Sequence, residues 1–157
     1  MWLRPGNGYR EILPVGIQFT AIDLSDRFVK LARERAPSAI IQKMDMLYLA
    51  FPEAVFDGVW ASFSLLHIRA NEIPKTLVGF RSLLREPGLL LAALHRGPRT
   101  EWIKTTISGM ERDTYVQEWL QTDIEAVVRK ASSEIIGSRP FERTGGRYPL
   151  LSILAHK

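Results

Sequence analysis

The sequence predicts an α/β sandwich on a mostly parallel sheet, closed by a C-terminal antiparallel strand pair. Three observations carry this. Short apolar runs end at polar residues and lead into amphipathic segments, as where Phe19 to Asp23 runs into Ser25. Leu89 to Leu94 is a continuous apolar run, the pattern of a strand buried on both faces. Glu134 to Ser138 and Tyr148 to Ala155 read as strands joined through Gly145-Gly146. With 157 residues, 46% hydrophobic and 24% charged, the chain suits one domain with a real core, spanning residues 1–157.

Taken in order, Arg4-Pro5-Gly6-Asn7-Gly8 forms a turn, and Gly16 resets the chain for a strand over Ile17 to Ile22. Asp23 then stands exposed at the strand's carboxyl end. Ser25 can N-cap a helix with Phe28, Leu31, Ala32 and the Arg35 stem on one face, stopped by Pro37. Ala39 to Met44 reads as a strand ending at Asp45, and Phe56 to Ala61 as another.

Asn71 can cap the next helix, with Pro74 in its first turn and Ile73, Leu77, Phe80 and Leu84 as its apolar stripe, and Pro87-Gly88 breaks it. Thr100 to Leu120, with aromatics spread among charges, fits either a helix packed on the sheet or a cover over an acceptor site. Thr122-x-x-Glu125 is a capping box opening a helix with Ile124, Val127, Val128 and Ala131 on one face.

Several classes are disfavoured. The chain has no cysteine, which removes disulfides and thiolate metal sites and makes a reducing cytoplasm the default. Its histidines, His67, His95 and His156, lie in unrelated contexts, so no metal site is expected. No apolar run approaches the roughly 20 residues of a membrane span. The formal charge is +4, but Lys and Arg are interleaved with acids, a solvated surface rather than a nucleic-acid interface.

In a parallel sheet, ligands bind beyond the strands' carboxyl ends. The polar residues there are Asp23, Asp45, Ser62 and His95. A carboxylate accepts hydrogen bonds from both hydroxyls of a ribose, which suits Asp23 to a nucleoside. A nicotinamide dinucleotide fits poorly, since the third glycine of its fingerprint is replaced by Glu11.

In this order of motifs the chain resembles the class I S-adenosylmethionine-dependent methyltransferases of the small-molecule type, from about Pro5 to Lys157. The pieces are Gly6-Asn7-Gly8-Tyr9, Ala21-Ile22-Asp23-Leu24-Ser25, Gln42-Lys43-Met44-Asp45-Met46, Phe56 to His67, and Leu83 to Leu91. The resemblance implies a Rossmann-like sandwich and S-adenosylmethionine as cofactor. It implies Gly6 and Gly8 beside the cofactor's amino-acid moiety, Asp23 and Leu24 at the ribose, and Asp45 and Met46 at the adenine. Ser62 and Phe63 would lie under the sulfonium. His95 is the candidate base toward a small-molecule acceptor, whereas His67 suits a structural role and Asp57 lies away from the cleft.

The chain also departs from the family pattern. Trp2 and Arg4 replace the acid and glycine that open its first motif, and most of the preceding strand is missing. The expectation is an N-terminally shortened domain whose incomplete sheet leaves edges open to self-association. A cofactor-free homologue serving as a partner or scaffold, or a non-functional remnant, stands as the alternative to an active enzyme.

Overall fold

The computed structural model describes residues 17–107, 110–131, 133–142 and 148–157, which divide into two compact units at Ala50/Phe51. The first unit holds β1 (Thr20–Asp23), α1 (Asp26–Arg35) and β2 (Ile40–Lys43). The two strands are parallel, with Asp23 opposite Lys43. The strand expected from Ile17 starts only at Thr20.

Ser25 caps α1 as expected, its hydroxyl accepting from the Phe28 N–H, and Asp26 and Arg33/Arg35 sit at the dipole ends that favour their charges. The buried face is shifted from the expected stripe. Val29, Ala32 and Ala36 pack with Ala21 and Ile41, while Phe28 and Leu31 flank them half-buried. These small residues let the helix approach the strands closely. Arg33 closes the unit by donating from Nε and Nη2 to the Ile41 carbonyl at 3.0 and 2.7 Å.

The second unit is built on a four-stranded sheet in the order β3-β4-β8-β7. Here β3 is Phe56–Ser62, β4 Leu84–His95, β7 Glu134–Phe141 and β8 Leu150–His156. Only β3 and β4 pair in parallel; β8 runs antiparallel to both β4 and β7. The described sheets are therefore mixed, not mostly parallel as expected. The C-terminal antiparallel pair is present, and Pro140 sits on the edge strand β7, where a missing N–H is tolerated.

Helix α2 (Ile73–Leu83) carries Pro74 in its first turn and buries Ile73, Leu77 and Phe80, but Glu72 takes the cap position expected of Asn71. It ends before Pro87-Gly88, because Leu84 is already extended and pairs with Phe56. The register then jumps to Gly58 opposite Leu89, and Arg85 holds the irregularity through Asp57 Oδ1 at 2.9 Å. Leu89 and Leu91 are exposed while Leu90, Ala92, Ala93 and Leu94 are buried, so β4 is covered on both faces only toward its end.

Residues 100–107 and 110–117 form no packed helix but an antiparallel strand pair, β5 (Thr100–Ile107) with β6 (Met110–Gln117). The threonines and β-branched residues of this segment favour the extended chain, and cross-strand pairs such as Thr105–Thr114 and Trp102–Tyr115 hold it. Helix α3 (Gln121–Lys130) buries Ile124 and Val128, with Ala131 just beyond it. It begins two residues early for the expected capping box, with Leu120 and not Thr122 at the cap position. Thr122 lies inside the helix, and Glu125 instead accepts from Gln121 Nε2 and Arg129 Nη2.

Candidate active site

In the first unit the chain leaves β1 and β2 at the same end. The Asp23 carbonyl accepts from the Met44 N–H at 3.2 Å, which ties the two exits together. Asp23 was expected to be exposed and is 2% exposed instead. Its Oδ1 accepts from the Ser25 N–H at 2.7 Å, so the carboxylate both orders the helix entry and is itself fixed in orientation. Asp45 is half-buried, and its Oδ1 accepts from the Leu47 N–H at 2.9 Å in an Asx-type turn. Leu24 is 58% exposed beside Asp23, and Met46 is half-buried after Asp45. Two oriented carboxylates with apolar neighbours at strand exits suit a ligand carrying donors on a flat, partly apolar body.

In the second unit, β3 and β4 also end side by side, with Ser62 opposite Ala93. Phe63 then turns with φ of 52°, the left-handed region that a bulky side chain seldom enters, while its N–H donates to the Ala93 carbonyl at 2.9 Å. Backbone strain at a strand exit is a mark of functional positions. His95, the last residue of β4, is half-buried, with the Phe63 ring centroid 5.9 Å away and the Tyr148 ring stacked at 4.8 Å. Ser62, Phe63 and His95 are thus brought together.

His67 behaves structurally, donating from Nδ1 to the Tyr115 carbonyl of β6 at 2.9 Å. Asp57 is engaged with Arg85 away from the strand exits, as expected. Gly6 and Gly8 lie outside the described residues. Among the described residues, no group of three His, Asp or Glu side chains could hold a metal ion, and no helix is long and apolar enough to cross a membrane.

Sequence reasoning missed a polar cluster just beyond β4. Glu118 is 4% exposed and grips Arg99 through Nε–Oε2 at 3.1 Å and Nη2–Oε1 at 2.7 Å. The Glu118 hydrogen bonds and charge hold the Arg99 guanidinium above its ordinary pKa. Gly97 is forced by this packing, since a Cβ there would overlap Glu118 Oε2. A groove of about 600 Å³ opens here, lined by Arg96, Pro98, Arg99, Leu120, Thr122 and Pro149. The only local signal was the polar pair Gln117-Glu118 set between Val116 and Trp119.

Residues 4–92 match the family described as a methyltransferase domain. The chain belongs to that family, the class I S-adenosylmethionine-dependent methyltransferases. No match among curated proteins is found by sequence.

Solved structures with the same fold include a SAM-dependent methyltransferase from Methanosarcina mazei, with TM-score 0.81 and 16% identity, covering 95% of this chain and 86% of that one. Another is a 1,6-didemethyltoxoflavin-N1-methyltransferase from Burkholderia thailandensis with bound 1,6-didemethyltoxoflavin and S-adenosylhomocysteine. Its TM-score is 0.77 at 19% identity, with 99% and 69% of the two chains covered. A glycopeptide N-methyltransferase complexed with S-adenosylmethionine gives 0.76 at 17% identity, with 98% and 79% covered.

Proposed function

We propose that this chain is one methyltransferase domain that transfers the methyl group of S-adenosylmethionine to a small-molecule acceptor. The family match runs across both compact units, which supports a single functional domain. The observation that carries the cofactor assignment is the pair of oriented carboxylates, Asp23 and Asp45, at the exits of adjacent parallel strands. Asp23 accepts hydrogen bonds from the ribose hydroxyls, with Leu24 beside it. Asp45 accepts from the adenine amine, and Met46 packs on the base. The family resemblance assigns Gly6 and Gly8, outside the described residues, to the amino-acid moiety.

The cofactor supplies an activated methyl group on a cationic sulfur, with a neutral sulfide as leaving group. The chain's task is therefore mainly to orient the acceptor and exclude water. Ser62 and Phe63 present backbone carbonyls that favour a neighbouring positive charge. His95 takes the acceptor's proton, a role suited to a side chain that titrates near neutrality.

The test supplies S-adenosylmethionine labelled in its methyl group, together with a cell extract split by ultrafiltration. Label is expected in the low-mass filtrate, with S-adenosylhomocysteine formed in equal amount. Label confined to the retained peptides and macromolecules would remove the small-molecule reading while leaving methyl transfer itself in place.

A further inference from the structure

A base at the end of a strand has to be aimed. His95 follows the buried Leu94 at the last position of β4, and rotation about its two side-chain torsions would sweep its nitrogens over several ångströms unless something holds the ring. Strand β4 lies between β3 and β8 in the sheet, and a ring reaches His95 from each side. Phe63, just past β3, sits at 5.9 Å with an interplanar angle of 58°. Tyr148, just before β8, lies nearly parallel to the imidazole, at 4.8 Å and 20°.

We propose that Tyr148 is a positioning residue for His95, and that the Glu118–Arg99 pair holds Tyr148 in place. This deepens the reading of His95 as base and rests on it. With Tyr148 stacked on one face and Nδ1 buried, the edge that the imidazole turns toward an acceptor is the one that carries Nε2. A ring held this way serves proton transfer better than it serves as a stacking platform for the acceptor.

The support behind Tyr148 is built from the buried side outward. Glu118 is nearly inaccessible, and its two oxygens fix the Arg99 guanidinium as a fork, with a further contact from the Arg99 N–H to Oε2 at 3.4 Å. The guanidinium carbon then lies 5.9 Å from the Tyr148 ring centroid, within cation–π range. The order of support is thus Glu118, Arg99, Tyr148, His95. These residues come from the β4–β5 link, the β6–α3 link and the residues before β8, and nothing in their sequence spacing joins them.

The test reads the imidazole directly by nuclear magnetic resonance of the histidine ring protons. His95→Gln assigns the His95 signal, and His67 and His156 serve as internal controls. Stacking on Tyr148 shields the His95 ring protons, so Tyr148→Leu is expected to move them downfield while the controls stay in place. Tyr148→Phe, which keeps the ring, should leave them where they were. Arg99→Lys keeps the charge but loses the fork, and should move them in the same direction by less.

In the labelled-methyl assay Tyr148→Leu should lose roughly 100-fold in rate, as a misplaced catalytic group does, with Tyr148→Phe near the unmodified protein. An unmoved His95 signal in folded Tyr148→Leu, or an equal shift in Tyr148→Phe, overturns the proposal. Should Tyr148→Leu fail to fold, an unmoved signal in Arg99→Lys overturns it instead. The base reading fails separately: His95→Gln transferring methyl at the unmodified rate would remove the base and leave the ring contact standing.

Discussion

Asp23→Asn is expected to remove at least about half of the thermal stabilisation that S-adenosylmethionine confers, while the variant alone melts close to the unmodified protein. Asp23 has two tasks. Its Oδ1 accepts from the Ser25 N–H, which an asparagine carbonyl oxygen can also do. The proposed bonds to ribose hydroxyls need an acceptor on the other oxygen, where asparagine presents an NH₂ donor instead. A hydrogen bond to a charged acceptor is worth about 1.5–3 kcal/mol, so losing one lowers affinity roughly 10- to 150-fold.

Asp23→Ala should behave differently, because it also strips the Ser25 N–H of its partner. It is expected to lose affinity and, in addition, about 1–3 kcal/mol of stability in a denaturant melt. The buried position of Asp23 makes this stability cost an expectation of the structure; an exposed rim carboxylate would have cost little. Ligand at 100 times its dissociation constant adds about 2.7 kcal/mol to a one-site protein, and an affinity roughly 10- to 150-fold weaker leaves about 1.4 to 0.3 kcal/mol of it.

Gly97→Ala is the second large effect. The new methyl group would overlap the Glu118 carboxylate, which is buried and held on its other side by Arg99. The overlap should cost about 1–3 kcal/mol in a urea melt, the usual range for overpacking. It should also displace the His95 ring signal as Tyr148→Leu does.

A double-mutant cycle isolates the cause. Glu118→Ala opens the space that the added methyl group needs, so the two substitutions together should cost less than the sum of each alone. Strictly additive costs would mean that the Gly97 backbone, and not the carboxylate beneath it, is what alanine disturbs.

The parts of this molecule that were legible in the sequence are those written locally. An apolar run ending at Asp23 and a capping serine two residues later specify a strand, a turn and a helix within sixteen residues, and the structure has them. The same holds for Phe56 to Ser62 and for the terminal strands. The strand pair β5–β6 was less legible because Trp102, Ile103, Tyr115 and Trp119 fit neither a helical nor a strand period cleanly.

The stripe of α1 was misplaced by one position because Phe28 and Leu31 are larger than Val29 and Ala32, and size outweighed proximity to the strands in the pattern. In the site, strand exits announced Asp23, Asp45, Ser62 and His95. Nothing local announced the Glu118–Arg99–Tyr148 support, since strand pairing brings it together across 19 residues in one step and 49 in the next. Burial of Asp23 was likewise invisible in the local pattern, which placed it at an open strand end.

The most direct measurement is a calorimetric titration of S-adenosylhomocysteine into the unmodified chain and into Asp23→Asn. The expected result is saturable binding at one site in the first and affinity at least about 10-fold weaker in the second. Absence of binding to the folded, unmodified chain, or equal affinity in the two proteins, would contradict the assignment of the β1 and β2 exits to this cofactor.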